Sequence, residues 1–586
     1  MSKRNKKCDD LDLLVIGGPS SPGPLGSRGN PYDYVIVGAG TAGVPLARFL
    51  SEDLTTSVFV LERGEDRGDD PRVQNAFLFG DPTLGNDPRY SKAIFFNSGG
   101  ITTSQSGTNA YSDPNVLGGG STHNGMSYGE GTPGPWNAMG AFNPIWNYAN
   151  GFLSARRFME HFFPNAVTPP NPVERGFAGP LPATQDDPLP PNPLYAAITT
   201  ATQSPPNYLD YNDSSYGEVG VSASQWFRTP GPTPGAASTR TDAQTAFLGP
   251  DVVDPVTLMG VGGRKLKIQL QATALKVIIE NLIAVGVRYF LTNNPDDVKE
   301  VFAKKVILSA GSISTPQLLQ LSGIGPAALL TPLGIDVVLN NPHVGQHGQN
   351  HYFPTGLIPQ AEPPTFVPRA DQFFTDLSGA NIVQANDRVR RAQVYLLPFN
   401  SAIPHAILTA LQIENIPAYS FIGFNMDPNH LVEIKIVSTD PLVQPEFLAH
   451  YYEDVSVPGR KSDLERAVDM YRVYANISIQ YTNQLPLYPP PSHYPMAEYG
   501  AYGATAPNTS LLEQDAKDTT LIAAYHLSGT ARMGDVVDGN LDVIGIANLG
   551  IADMSVAPVI PTFNTAGPAF IIGLLKAKIE GAAVPY

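Results

Sequence analysis

Runs of apolar residues along this chain switch between the two periods that mark strands and helices. DYVIVGAGTAGVPLARFL opens with a β-branched run from Asp33 to Val37, breaks at Gly38, Gly40 and Gly43, and goes on as a helix. A second apolar run, SVFVLE, ends at Glu62, about two dozen residues after Gly38. Strand, turn, helix and strand in that order predict a βαβ unit. Farther on, LVEIKIVS alternates and reads as a sheet strand suited to floor a pocket, whereas DLERAVDMYRVYANI repeats apolar residues at three- and four-residue steps, as a core-facing helix does. From Thr168 to Leu194 prolines recur so often that helix and central strand are disfavoured, and an extended lid or surface loop is expected. No internal repeat is evident.

A length of 586 residues and a hydrophobic fraction of 42% accommodate two domains, or one large α/β unit with an inserted cap. The formal charge of -16 argues against coating nucleic acid or anionic lipid, because no excess of Lys and Arg exists to displace counterions. Cys8 is the single cysteine, so no intrachain disulfide forms, and no Cys/His cluster with zinc spacing is present; no metal is expected. The N-terminus begins basic, but its apolar run from Leu11 to Ile16 contains Asp12 and is too short for a signal core. Residues 1–30 read as a flexible arm. No segment reaches the roughly 20 apolar residues of a membrane span, so a cytoplasmic location is the default.

Three stretches carry chemistry. Gly38, Gly40 and Gly43 sit where glycines permit a tight turn against a pyrophosphate, with helix amides facing the phosphate and Glu62 placed to accept from a ribose hydroxyl. A second glycine cluster, VLGGGSTHNGMSYGEG from Val116 to Gly131, can lay backbone amides along an extended cofactor, or can be a surface loop. Near the C-terminus, HLSGTARMG and PTFNTAGP place His526 and Asn564 about forty residues apart around an Asp-containing β-rich segment. That pair is a candidate proton-handling site. The bland alternative is a hydrogen-bonded structural histidine.

With these motifs in hand, the chain resembles the glucose-methanol-choline (GMC) oxidoreductase family, flavoenzymes that mostly oxidise alcohols with FAD. The resemblance starts at Tyr32 and runs through DYVIVGAGTAG, LGGGSTHNGMSYGEG, VILSAGSISTPQLLQLSGIGP, GIDVVLNNPHVGQHGQNH, HLSGTARMG and NTAGP. It implies a Rossmann-like α/β FAD-binding domain interleaved with an antiparallel-sheet (α+β) substrate domain. The FAD domain would be discontinuous, 31–134, 241–350 and 516–586, and the substrate domain would take 135–240 and 351–515. By resemblance, Gly38, Gly40, Thr41, Ala42, Gly43 and Glu62 hold the ADP portion, and Leu275 in the ATALKVII strand lies against the adenine. Gly119, Ser121, Asn124, Gly125 and Met126 run along the pyrophosphate and flavin, Asp553 contacts the ribityl or pyrophosphate region, and Tyr525 and Thr565 lie by the ring. Ser121-Thr122-His123 matches the S-[ST]-H pattern of members resembling choline oxidase and pyranose oxidase, in which the histidine is bonded to the flavin; His123 either forms that bond or packs beside the ring.

The implied reaction removes a hydroxyl proton as hydride leaves carbon. Neutral imidazole suits the first role. His526 is then the base and Asn564 the residue that holds the same oxygen, since asparagine cannot change charge. The implied partners are a small-molecule alcohol and an electron acceptor, O2 or another, with a homodimer compatible. The resemblance also leaves open a non-redox relative, a lyase or photodecarboxylase, and a structural virion or fibre protein built on the same fold, which would place the chain in a virion. The chain departs from the family's HPxGTxxMG at Leu527 and from VGxNLxDH at His347, Gly348 and Asn350. Gly550 replaces the arginine of NLRVxDxS, which predicts lost hydrogen bonds.

Overall fold

Tyr32–Val37 forms strand β1, Gly43–Leu50 helix α1 and Ser57–Leu61 strand β2, the predicted βαβ unit. In this computed structural model β1 and β2 are parallel, with Val35 opposite Phe59 and Val37 opposite Leu61. Every residue of β2 is buried, which is why its sequence is continuously apolar rather than alternating. The structure describes residues 23–67, 70–74, 87, 91–97, 110–165, 171–186, 193–202, 210–213, 220–222, 224–232, 238–352, 355–359, 371–375, 392–399, 418–453, 460–482, 513, 516–517 and 525–584. Most of the expected N-terminal arm, with Cys8, lies outside them.

Five more strands complete the sheet: Lys265–Gln269 (β3), Ala272–Glu280 (β4), Ile283–Leu291 (β5), Asn294–Leu308 (β6) and Leu549–Ile551 (β7). Their order is β3-β2-β1-β6-β5-β4, and β7 also pairs with β6. The long strand β6 joins two kinds of sheet. Its first part pairs antiparallel with β5, Val301 opposite Val287, while Val306–Leu308 lies parallel between β1 and β7. One sheet therefore draws on the start, middle and end of the chain. Helix α2 (Gly311–Leu321) leaves β6, and the terminal helix (Ala566–Ile579) crosses α1 so closely that a Cβ at Gly573 would meet Ala42 O at 2.2 Å.

A second sheet is wholly antiparallel, in the order Thr355–Pro359, Ala418–Asn425, Ala392–Phe399, Asp371–Thr375 and Gly220–Ser222. Against it packs α3 (Asp463–Thr482), the helix expected from DLERAVDMYRVYANI, with Met470, Tyr471 and Tyr474 buried and Tyr474 stacked on Phe421 at 5.0 Å. Ser462 and Glu465 form a reciprocal capping box at its start. The strand expected in LVEIKIVS is Val432–Lys435; it pairs with Glu446–Ala449, and Val432 exchanges two backbone hydrogen bonds with Gly348. It thus holds the segment carrying Asn350 and His351.

The proline-rich run behaves differently from expectation in its described part. Leu181–Gln185, with Pro182 inside it, is the middle strand of a three-stranded sheet between Glu160–Phe163 and Gln225–Trp226. Pro182 is tolerated because the Gln225–Trp226 strand pairs only with Thr184 and Gln185, so no partner on that side asks for its missing N–H. Pro193 then opens the helix Pro193–Thr202, where a missing N–H also costs nothing. Among the described residues, no helix is long and apolar enough to cross a membrane.

Candidate active site

The glycine turn after β1 is built by exclusion of side chains. A Cβ at Gly38, whose φ is +104°, would lie 2.3 Å from Ser309 O, and one at Gly43 would lie 2.1 Å from Gly38 O. Helix α1 then starts after Thr41 and Ala42 with no side-chain cap and no acidic residue in its first turn; Val44 N donates to Gly40 O and Pro45 has no N–H, so it is the positive dipole end at Ala42–Gly43 that is left to an anion. Glu62 directly follows β2 and fixes the turn: its two carboxylate oxygens accept from Ala39 N and Gly64 N, each at 2.8 Å. Ala272 N, at the head of β4, donates to Glu62 O, which brings the strand of half-buried Leu275 alongside.

The second glycine cluster packs directly on the first. Gly118 N donates to Ala39 O, and a Cβ at Gly119 would lie 2.7 Å from Gly40 Cα. Ser121 Oγ donates to Gly118 O and accepts from Ala243 N, locking the turn Gly119–Thr122. Beyond it Gly125 is exposed, and Met126 has a φ of 60°, its N–H bound to Asn124 Oδ1. Thr122 Oγ1 donates its only proton to Gly119 O, so towards His123 Nδ1, at 3.2 Å, it acts as acceptor. His123 therefore carries its hydrogen on Nδ1 and a lone pair on Nε2. Burial, reinforced by the charge of Arg240, lowers its pKa to about 4. Arg240, which sequence reading missed, is buried and donates to Ser121 O, Asn124 O and Asn124 Oδ1. No spacing links it to the glycine cluster more than a hundred residues earlier.

His526 and Asn564 meet: Nδ2 of Asn564 is 3.0 Å from Nε2 of His526. The amide is oriented from behind, since its Oδ1 accepts from Tyr395 Oη at 2.9 Å and from Gln393 Nε2 at 3.3 Å. Asn564 thus presents its NH2 to His526, whose Nε2 must hold the lone pair. The proton of His526 then sits on Nδ1 and is donated to Nδ1 of His351, 3.0 Å away. Burial lowers the pKa of His526 to about 3, and burial, with the adjacent imidazoles, holds His351 well below the usual histidine range. Both rings are neutral. Asn350 adds a further brace by accepting from His526 N through Oδ1. Tyr395, Gln393 and His351 are contributions that sequence reading did not single out; each lies more than 160 residues from the residue it orients.

Residues 253–353 match one family model described as GMC oxidoreductase, and residues 428–573 match a second with the same description. The chain belongs to the GMC oxidoreductase family. It is similar to the GMC oxidoreductase family protein Mala s 12 of Malassezia sympodialis, 26% identical across 91% of this chain and 89% of that one. Oxygen-dependent choline dehydrogenase of Rhizobium meliloti is 29% identical across 92% and 94%. Among solved structures, an FAD-dependent oxidoreductase from Chaetomium thermophilum superposes with a TM-score of 0.73 at 20% identity, covering 94% of this chain and 99% of that one. A formate oxidase gives 0.74 at 18%, covering 94% and 97%, so these two likenesses speak to the fold.

In this GMC oxidoreductase the remaining expected site residues divide. Thr565 is buried and stands as the uncapped N-cap of the terminal helix Ala566–Ile579, labelled α4, next to Asn564. Tyr525 precedes His526 with a φ of 58° and is half exposed. Asp553 is buried and spends its carboxylate on the protein: Oδ2 accepts from Gly311 N and Thr315 Oγ1, Oδ1 from Ser555 N, and burial raises its pKa. It ties the start of α2 to the turn after β7. Beside Gly550, where the resemblance expects an arginine, buried Lys576 fills the space, with Nζ 3.2 Å from where a Cβ would be, and donates to Asn540 O and Asp542 Oδ1. The loop before Asn564 is braced by Phe563 stacked on Tyr211 at 5.2 Å, and Tyr211 is in turn bonded to Tyr128 O.

FAD fits these residues on three counts. The N-terminus of α1 is uncapped, the face of Gly40 is open except for Gly119 Cα at 3.8 Å, and Nη2 of Arg240 is buried without a hydrogen-bond partner among the described residues. Anionic and carbonyl oxygens of a dinucleotide are what such donors accommodate.

Proposed function

We propose that this GMC oxidoreductase binds FAD along the two packed glycine turns and oxidises the CH–OH group of a small-molecule alcohol, with His526 as the base. The observation that carries the reading is the neutral His526 with its Nε2 lone pair held 3.0 Å from the NH2 of Asn564. A substrate hydroxyl that reaches Nε2 meets Asn564 as well, so one residue takes the proton while the other holds the oxygen. When His526 takes that proton it becomes an imidazolium whose Nδ1–H already points at the lone pair of His351. His351 thereby disperses the new charge. FAD, when bound, supplies the hydride acceptor. The uncapped start of α4 beside Asn564 favours negative charge developing next to it.

His123 is neutral with its hydrogen on Nδ1, the protonation state that attachment to a flavin carbon through Nε2 requires. The test of both readings is one preparation. Anaerobic addition of a panel of primary and secondary alcohols should bleach the flavin absorbance, and acid precipitation should leave yellow colour in the pellet. A preparation that takes up FAD but is bleached by no alcohol overturns the oxidation reading; colour confined to the supernatant overturns the covalent link.

The buried histidines also set an acid limit on stability. In the unfolded chain each titrates near roughly 6.5, whereas in the folded chain His526 does so at about 3 and His123 at about 4. Above pH 6.5 both states are neutral and nothing is lost. Below it the unfolded chain takes up protons that the folded chain refuses, so stability falls by about 1.4 kcal/mol per pH unit per histidine until the folded pKa is reached. Unfolding midpoints measured from pH 7.5 to 5 should decline more steeply for the natural protein than for His526→Gln. Parallel declines would show that His526 is not held neutral.

A further inference from the structure

Two histidines of the NNPHVGQHGQNH segment take no part in the site just described. His343 and His347 lie in the turn that leads into Asn350 and His351, and Nδ1 of His343 is 3.1 Å from Nε2 of His347. A carboxylate oxygen of Asp535 completes a half-buried group whose ligand atoms all lie within 4.8 Å of one another. Two nitrogen ligands of one tetrahedral zinc, each about 2.0–2.1 Å from the metal, are about 3.3 Å apart. The imidazole pair already has that spacing.

The scaffold under the group is specific. His347 adopts a φ of 63°, a conformation that costs a non-glycine residue about 1–2 kcal/mol; that backbone brings Nε2 onto His343. Asn341, itself buried, accepts from His343 N through Oδ1 and donates through Nδ2 to Asp535 O, so one side chain fixes both halves of the group. Gly345 N donates to Thr530 O as a second clamp. Arg532 Nε holds Asp535 Oδ2, which orients the carboxylate as partners behind metal ligands do. The spacing rule applied to the sequence overlooked the group because its carboxylate lies almost two hundred residues from the histidines.

We propose that His343, His347 and Asp535 bind a divalent transition metal of the zinc class, which clamps the segment carrying His351 to the segment carrying His526. Two imidazoles and one carboxylate leave the fourth position to water. Binding moves the hydrogen between the two rings to the outer nitrogen of whichever ring carries it, with no net change in protons.

The flavin-loaded protein, stripped with a chelator and dialysed, should take up one Zn2+ per chain in competition with a chromophoric zinc chelator, and zinc should raise its unfolding midpoint. His343→Gln, His347→Asn and Asp535→Asn should each weaken zinc about 100-fold or more, by analogy with loss of a ligand or its support, while flavin content stays at the natural level. Less than one-fifth of a zinc per chain in the natural protein overturns the proposal, and so does undiminished binding in the His343→Gln/His347→Asn double variant. Should a variant fail to retain flavin, the stoichiometry and zinc-dependent midpoint of the natural protein decide alone.

Discussion

His526→Ala should keep its flavin and reduce it with alcohol about 10²–10⁴-fold more slowly, the range for removal of a positioned general base. The size follows from the absence of a substitute. Asn564 has no titratable group, and its Oδ1 is already turned to Tyr395 and Gln393. His351 sits behind His526, its Nδ1 directed at the ring that would be missing, and Tyr395, buried and pushed well above the ordinary tyrosine range, neither loses its proton readily nor faces the substrate side of the amide. Flavin binding should survive because, on the proposed reading, the ADP portion lies against Gly38–Gly43, Glu62 and Gly119–Asn124 rather than against His526. Stopped-flow measurement of flavin reduction separates the two effects, since the bound flavin is its own probe. Reduction at the natural rate in a flavin-loaded His526→Ala protein would remove His526 from the chemistry.

What could be read from the sequence was what local backbone geometry dictates. The turn at Gly38–Gly43 announces itself because Cβ atoms at two of its positions would strike Ser309 O and Gly38 O, so only glycine serves there. α3 announces itself through its apolar repeat and the Ser462/Glu465 box. The orientation of Asn564 and the tautomer of His526 were hidden, because Tyr395, Gln393 and His351 reach them across the fold and no periodicity connects the segments. The same limit explains Leu181–Gln185: a rule about proline in central strands holds where both neighbours span the residue, and here one of them stops short of Pro182. Asp553, which the motif marked, also accepts from Gly311, Thr315 and Ser555, and the first two of these reach it across the fold from more than two hundred residues away.

Gly40→Ala should yield a folded protein that has lost most of its FAD, and it is informative because its neighbour behaves otherwise. At Gly38 a methyl group meets Ser309 O at 2.3 Å on a backbone with φ of +104°. Ser309 N is bonded to Val37 O, so Gly38→Ala wedges β1 away from the end of β6 and damages the sheet itself, with a cost of about 3 kcal/mol or more from overpacking and left-handed strain together. At Gly40 the same methyl group finds only Gly119 Cα at 3.8 Å, an ordinary contact on a backbone that alanine can adopt. The protein alone has no reason to refuse it. Any loss at Gly40 is then loss of room for something that is not protein, a pyrophosphate pressed against the turn at the head of α1. A displacement that forfeits two or three amide contacts at about 1.5 kcal/mol each corresponds to a weakening of roughly 100-fold or more. The expected result is a flavin-to-protein ratio far below that of the natural enzyme, with the unfolding midpoint of flavin-stripped Gly40→Ala matching that of the flavin-stripped natural protein. Full flavin content in Gly40→Ala would place the cofactor away from this turn; a lowered midpoint of the stripped variant would mean that Gly40, like Gly38, is a residue of the fold.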